Sequence, residues 1–221
     1  KSGDFTPYLY KTEDYGKTWT TITKGIPNEH FTRVLREDPA VKGLLYAGTE
    51  NGMYVSYNDG ASWEAFQNNL PIVPITDLTI KDNSLIVATQ GRSLWMVDDL
   101  TVLHQLLADE KSSAKTPRLF DPKDAYRTKG RGGRSSLTAG TNLPNGVITH
   151  FYLPEGMEKD SVVLNYHNAE GEVLASYSNK AKERSKKLTL DKGANTFVWD
   201  TRGTGAERLD GMILWWANLD G

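Results

Sequence analysis

The 221-residue chain contains no cysteine, which excludes disulfide bridges, thiolate metal ligation and a cysteine nucleophile. Its four histidines, His30, His104, His150 and His167, lie too far apart for a zinc-ligand spacing, so no metal site is expected. No apolar run approaches the roughly 20 residues a helix needs to cross a bilayer, and no membrane span is expected. Charge of one sign is lacking too. With 26 basic and 28 acidic residues the net charge is −2 and the pI about 6.1, which leaves no electrostatic footprint for nucleic acid. No cofactor fingerprint occurs, and none is expected. No leader peptide is visible, and because the pattern is already under way at Lys1, an upstream segment is expected.

What the chain does have is a repeat. Thr12-Glu13-Asp14-Tyr15-Gly16-Lys17-Thr18-Trp19 and Ser56-Tyr57-Asn58-Asp59-Gly60-Ala61-Ser62-Trp63 share the pattern S/T-x-D/N-x-G-x-S/T-W at an offset of 44 positions. The same offset carries Leu9-Tyr10 onto Met53-Tyr54 and Ile26-Pro27 onto Leu70-Pro71. Each octamer has a local physical account. The carboxylate or amide of Asp14 and Asn58 can satisfy backbone N–H groups of a turn, and Gly16 and Gly60 accept positive φ. The hydroxyls of Thr12 and Ser56 can bond the same turn. Trp19 and Trp63 then open the next strand as large apolar anchors whose N–H needs a partner. These eight residues are expected to serve folding.

A repeat of this period built from short strands predicts propeller blades. Tyr8–Lys11 and Trp19–Ile22 read as the last two strands of one blade. A complete blade follows, with strands at Phe31–Glu37, Leu44–Gly48, Met53–Ser56 and Trp63–Phe66. A third has strands at Ile75–Ile80, Leu85–Thr89 and Leu94–Val97. Leu103, Leu106 and Leu107 then give a helical spacing, with Asp98-Asp99 as a cap; calcium ligation is the alternative for that acidic pair. Pro117–Arg127 reads as an extended crossing segment and Gly130–Ser136 as a basic loop. Strands at Val147–Leu153, Val162–His167, Glu172–Tyr177, Lys187–Leu190, Asn195–Asp200 and Met212–Ala217 suggest an antiparallel sandwich of immunoglobulin type. The fold class expected is all-β. About two and a half blades span 1–108, a linker and crossing segment 109–136, and a sandwich 137–221.

The two octamers resemble the Asp-box, or BNR, repeat of sialidases, sortilin-type (VPS10) domains and related glycosidases; the second departs by having Asn58 in place of Asp. Gly193–Asp200 resembles a segment of bacterial FlgD-like or fibronectin-like sandwich modules. Together these features resemble the C-terminal part of large bacterial Asp-box proteins, of sortilin-like or glycosidase-like type. The resemblance implies a periplasmic or extracellular address. It also implies that the boxes are structural and that ligands bind at the opposite end of the blades. The lack of cysteine favours a bacterial source over a eukaryotic sortilin. A propeller has at least four blades, so the chain is expected to be part of something larger, with the remaining blades as its first partner.

If strands alternate in direction, the second-to-third-strand connections lie opposite the boxes. That end would carry Glu50, Asn51, Gln90 and Arg92. Arg92 could hold a carboxylate bidentately, and Glu50 could accept sugar hydroxyls or titrate. A glycosidase needs two carboxyl groups roughly 5 to 9.5 Å apart. Glu50 and Glu29 are the candidates, and nothing in the repeat pairs them. Arg33 and Arg92 alone do not form the arginine cluster of a sialidase. The catalytic residues are therefore unknown from sequence. The leading expectation is a non-catalytic recognition or scaffold segment with a carbohydrate or peptide ligand. The alternatives are part of a sialidase- or xyloglucanase-like glycoside hydrolase with its carboxylates elsewhere, and sortilin-like peptide binding. Trp215-Trp216 offers a further ring for core packing or sugar stacking.

Overall fold

Short apolar runs punctuated by Gly, Asn and Asp form strands wherever a turn reverses the chain. The computed structural model describes residues 3–108, 115–126 and 143–202, which are mostly β and arranged in several antiparallel sheets. The chain divides into two units, Lys1–Glu110 and Lys111–Gly221.

The first unit contains three sheets in chain order. Strands β1 (Tyr10–Lys11) and β2 (Thr20–Thr21) pair around the first octamer. Strands β3 (Thr32–Glu37), β4 (Leu45–Thr49), β5 (Gly52–Ser56) and β6 (Glu64–Ala65) form a four-stranded meander. Strands β7 (Ile75–Lys81), β8 (Ser84–Thr89) and β9 (Leu94–Val97) form a three-stranded one. Every residue of β4 and β5 is buried, because this sheet is covered on both faces. Cross-strand pairing puts Leu45, Ala47 and Tyr54 on one face and Tyr46, Met53 and Val55 on the other. The first face packs with Leu9, Ile26 and Trp63. The second packs with Ile75, Leu78, Leu85 and Val87 of the third sheet. Gly48 permits that approach, since a Cβ there would lie 2.6 Å from Ile75 Cγ2 and 2.7 Å from Val34 Cγ1. Helix α1 (Thr101–Ala108) follows; Asp99 accepts from the Thr101 N–H at 2.9 Å, and Leu103 and Leu107 pack on the second core.

The second unit has a sheet of order β10 (Arg118–Leu119), β11 (Val147–Leu153), β14 (Gly193–Trp199), and a hairpin of β12 (Val163–His167) with β13 (Val173–Ser178). Phe151, Leu153, Leu164 and Leu188 form its core, with Tyr166, Tyr177 and Phe197 against it. Two expectations change here. Lys187–Leu190 is not a strand; it makes one isolated bridge, Lys187 to Ser178, while Leu188 turns into the core. Within the segment read as a crossing, Arg118–Leu119 is an edge strand on β11. Gly130–Ser136, Met212–Ala217 and Trp215-Trp216 lie outside the described residues.

Candidate functional site

Both octamers fold into the same self-satisfied turn. In the first, Asp14 Oδ1 accepts from the Thr18 N–H at 2.8 Å and Oδ2 from the Thr18 hydroxyl at 2.7 Å. The Thr12 hydroxyl donates to Asp14 at 2.9 Å and accepts from the Gly16 N–H at 2.8 Å. In the second, Asn58 Oδ1 accepts from the Ser62 N–H at 2.9 Å, and Ser56 Oγ accepts from the Gly60 N–H at 2.9 Å. The amide reverses one bond: Asn58 Nδ2 donates to Ser62 Oγ at 2.8 Å. Gly16 (φ 88°) and Gly60 (φ 84°) occupy the left-handed region that the turn requires. The N–H and hydroxyl of Thr18 hold the Asp14 carboxyl below its ordinary value.

The two tryptophans differ. Trp63 is 3% exposed, and its indole N–H donates to the Ile22 carbonyl of the preceding sheet at 2.7 Å. Trp19 is 60% exposed and donates back to its own turn at Gly16 O, 3.1 Å. A buried anchor was expected at both positions. It forms only at Trp63, because a sheet covers Trp63 and none covers Trp19 among the described residues. Lys11 joins the two turns, with Nζ 2.7 Å from Glu13 and 2.5 Å from Asp59. Those carboxylates, Asp59 first, raise its pKa.

The other end of the sheets carries the sequence-derived candidates. The β4–β5 turn presents Glu50 and Asn51, and the β8–β9 loop presents Gln90 and Arg92. Beside each connection the register of the first strand shifts, between Thr32 and Val34 in β3 and between Ile75 and Asp77 in β7. A bulge re-aims the extra residue. Here it sends the Arg33 Nε to Glu50 Oε2 at 2.6 Å, with the guanidinium over the Phe31 ring at 5.2 Å. The Asn51 N–H is held by Thr49 Oγ1 at 3.1 Å and the Gln90 N–H by the Pro74 carbonyl at 2.9 Å. The Arg92 guanidinium makes a long 3.5 Å contact to the Gly91 carbonyl. The structure thus brings Glu50 to Arg33. Among the described residues no hydrogen bond or ion pair links Glu50 or Asn51 to Gln90 or Arg92. Glu29 is exposed one residue from His30, whose Nδ1 lies 2.7 Å from the Tyr54 hydroxyl.

A second polar group was missed in the sequence. Asp38, 3% exposed, sits in the β3–β4 connection; His104 Nε2 of α1 lies 2.9 Å from its Oδ2 and the Tyr46 hydroxyl 3.2 Å from the same oxygen. The Ala40 and Val41 N–H groups donate to Oδ1. Burial pushes this carboxyl up, and the His104 and Ala40 hydrogen bonds outweigh it, leaving the pKa below the ordinary value. Burial and the Asp38 charge push the Tyr46 phenol up. The only sequence signal was the Asp38-Pro39 turn; the partner lies 66 positions away. The group closes on itself and ties α1 to the second sheet. Among the described residues no cluster of three or more His, Asp and Glu side chains is placed to hold a metal.

No family model and no curated protein sequence matches this chain.

Proposed function

We propose that the chain is a non-catalytic recognition and scaffold segment of a larger secreted bacterial protein. In this reading the three sheets are consecutive Asp-box propeller blades and the second unit is an immunoglobulin-like sandwich. The observation that carries it is the octamer geometry. Two turns at a 44-residue offset close on themselves through equivalent bonds, and the second fastens its sheet to the one before through Trp63. Such turns serve as folding units and leave the opposite ends of the sheets for ligands. There, the bulged Arg33, its partner Glu50, Asn51, Gln90 and Arg92 present hydrogen-bonding groups suited to sugar hydroxyls or a peptide carboxylate. The Arg33–Glu50 pair is only about one-third exposed on each side, so it is positioned for recognition, while a lone pair of this kind adds at most about 1 kcal/mol of stability. A hydrolase would need a second carboxyl facing Glu50, whereas the partner that Glu50 has here is the Arg33 guanidinium.

The test is a glycan-array and chromogenic-glycoside screen on the longest natural form containing this segment. Binding without turnover, weakened by Glu50→Gln or Arg92→Ala, is the expected result. Turnover of any glycoside would overturn the non-catalytic reading.

A further inference from the structure

Between the first and second sheets, at the end where the octamers lie, there is a polar cleft. Its volume is about 410 Å³, inside the range of roughly 300 to 1,000 Å³ typical of small-molecule sites. Thr20, Thr21 and Lys24 line it from β2 and the segment after it; Asn58 and Asp59 line it from the second turn. Both walls belong to the first unit, and they are fastened to each other. The Trp63 N–H donates to the Lys24 carbonyl at 2.8 Å and the Trp63 indole to the Ile22 carbonyl at 2.7 Å. Gly25 sits so close that a Cβ on it would collide with the Trp63 carbonyl. A ligand therefore meets walls already in place, which lowers the ordering cost of binding.

The octamer pattern leaves free the acidic residues that face this cleft. Glu13 and Asp59 stand at variable positions of the first and second octamers. Their carboxylates meet on Lys11 Nζ, at 2.7 and 2.5 Å. Each keeps spare lone pairs, since an ionised carboxylate has about four acceptor sites. Among the described residues the Thr20 and Thr21 hydroxyls and the Lys24 ammonium make no hydrogen bond or ion pair. Ile22 and Gly60 add an apolar patch, packed so that a Cβ on Gly60 would lie 2.6 Å from Ile22 Cδ1.

Two ammonium groups and two carboxylates line the cleft, so its charge is balanced. An added phosphate or carboxylate would meet repulsion from Glu13 and Asp59. Unused donors share the cavity with acceptors that have room for more bonds. A sugar hydroxyl suits both at once, accepting from an ammonium or a threonine and donating to a carboxylate. We propose that this cleft binds a neutral mono- or disaccharide. Lys24, Thr20 and Thr21 donate to its hydroxyls, Asp59 and Glu13 accept from them, and its ring lies on the Ile22–Gly60 patch. The site is at the opposite end of the sheets from Glu50 and Arg92 and does not depend on the ligand reading of that end.

Amide NMR of the full chain tests it, with maltose, cellobiose and lactose titrated over the millimolar range and glucuronate as the acidic comparison. At least one neutral disaccharide should move the amides of Thr20, Thr21, Gly60 and Ala61 along a saturating curve. Lys24→Ala and Asp59→Asn should each weaken that binding by about tenfold, as for the loss of a charged hydrogen bond. The same spectra show whether each variant is folded, and either one suffices. Silence of the cleft amides to all three disaccharides would overturn the proposal. So would binding that folded variants leave unchanged, or glucuronate binding more tightly than the neutral sugars. Shifts at Glu50, Asn51, Gln90 and Arg92 report the other end separately, so the two readings stand or fall apart.

Discussion

At the residue scale, Trp19 and Trp63 occupy the same place in the same octamer and do different work. Trp63 buries its ring between two sheets and satisfies its N–H across them; Trp19 faces solvent. Truncating a buried aromatic removes its transfer free energy and leaves a cavity. Trp63→Ala should therefore destabilise by about 3 to 5 kcal/mol, and Trp19→Ala by less than about 1 kcal/mol, as for an exposed side chain. Urea titration checks both. Equal costs would contradict the burial difference. The sequence displayed both tryptophans and could not rank them, because burial depends on what lies opposite. Arg33 and Asp38 were equally silent. Arg33 reaches Glu50 because of a bulge, and Asp38 meets His104 only when α1 returns to the β3–β4 connection.

At the scale of elements, the two turns differ in one chemically informative respect. Asp14 titrates and Asn58 does not. The folded-state pKa of Asp14 is lowered by the Thr18 N–H and hydroxyl, so its contribution is complete above the unfolded carboxyl value of about 3.9. It is lost as pH falls through the lower folded value. The Thr18 amide resonance should therefore move and its protection against exchange, relative to the intrinsic rate at each pH, should fall in acid, while those of Ser62, bonded to Asn58, should stay put. NMR across pH 2 to 6 tests the contrast; an unresponsive Thr18 or an equally responsive Ser62 would refute it. Strand positions in the second and third sheets were legible to within a residue or two at most boundaries, since glycine and asparagine punctuate them. Lys187–Leu190 misled because an apolar alternation also suits a loop that buries Leu188.

At the scale of the whole molecule, the chain forms two units with separate cores. Units that do not share a core are not bound to unfold together. Calorimetry of the full chain should show two transitions, and Trp63→Ala should lower only that of the first unit. A single transition shifted as a whole by that substitution would show the two units to be energetically coupled.

The sequence by itself determined the all-β class, the 44-residue repeat and the turn chemistry of both octamers. Each of these is local: the turn bonds span two to four residues, and glycine supplies the positive φ that other side chains resist. Only the tertiary structure decided which tryptophan is buried and which carboxylate meets an arginine. It also decided that Asp38 closes on His104. Those outcomes depend on groups brought together from tens of residues apart, and packing between sheets leaves no trace in the pattern of any one strand.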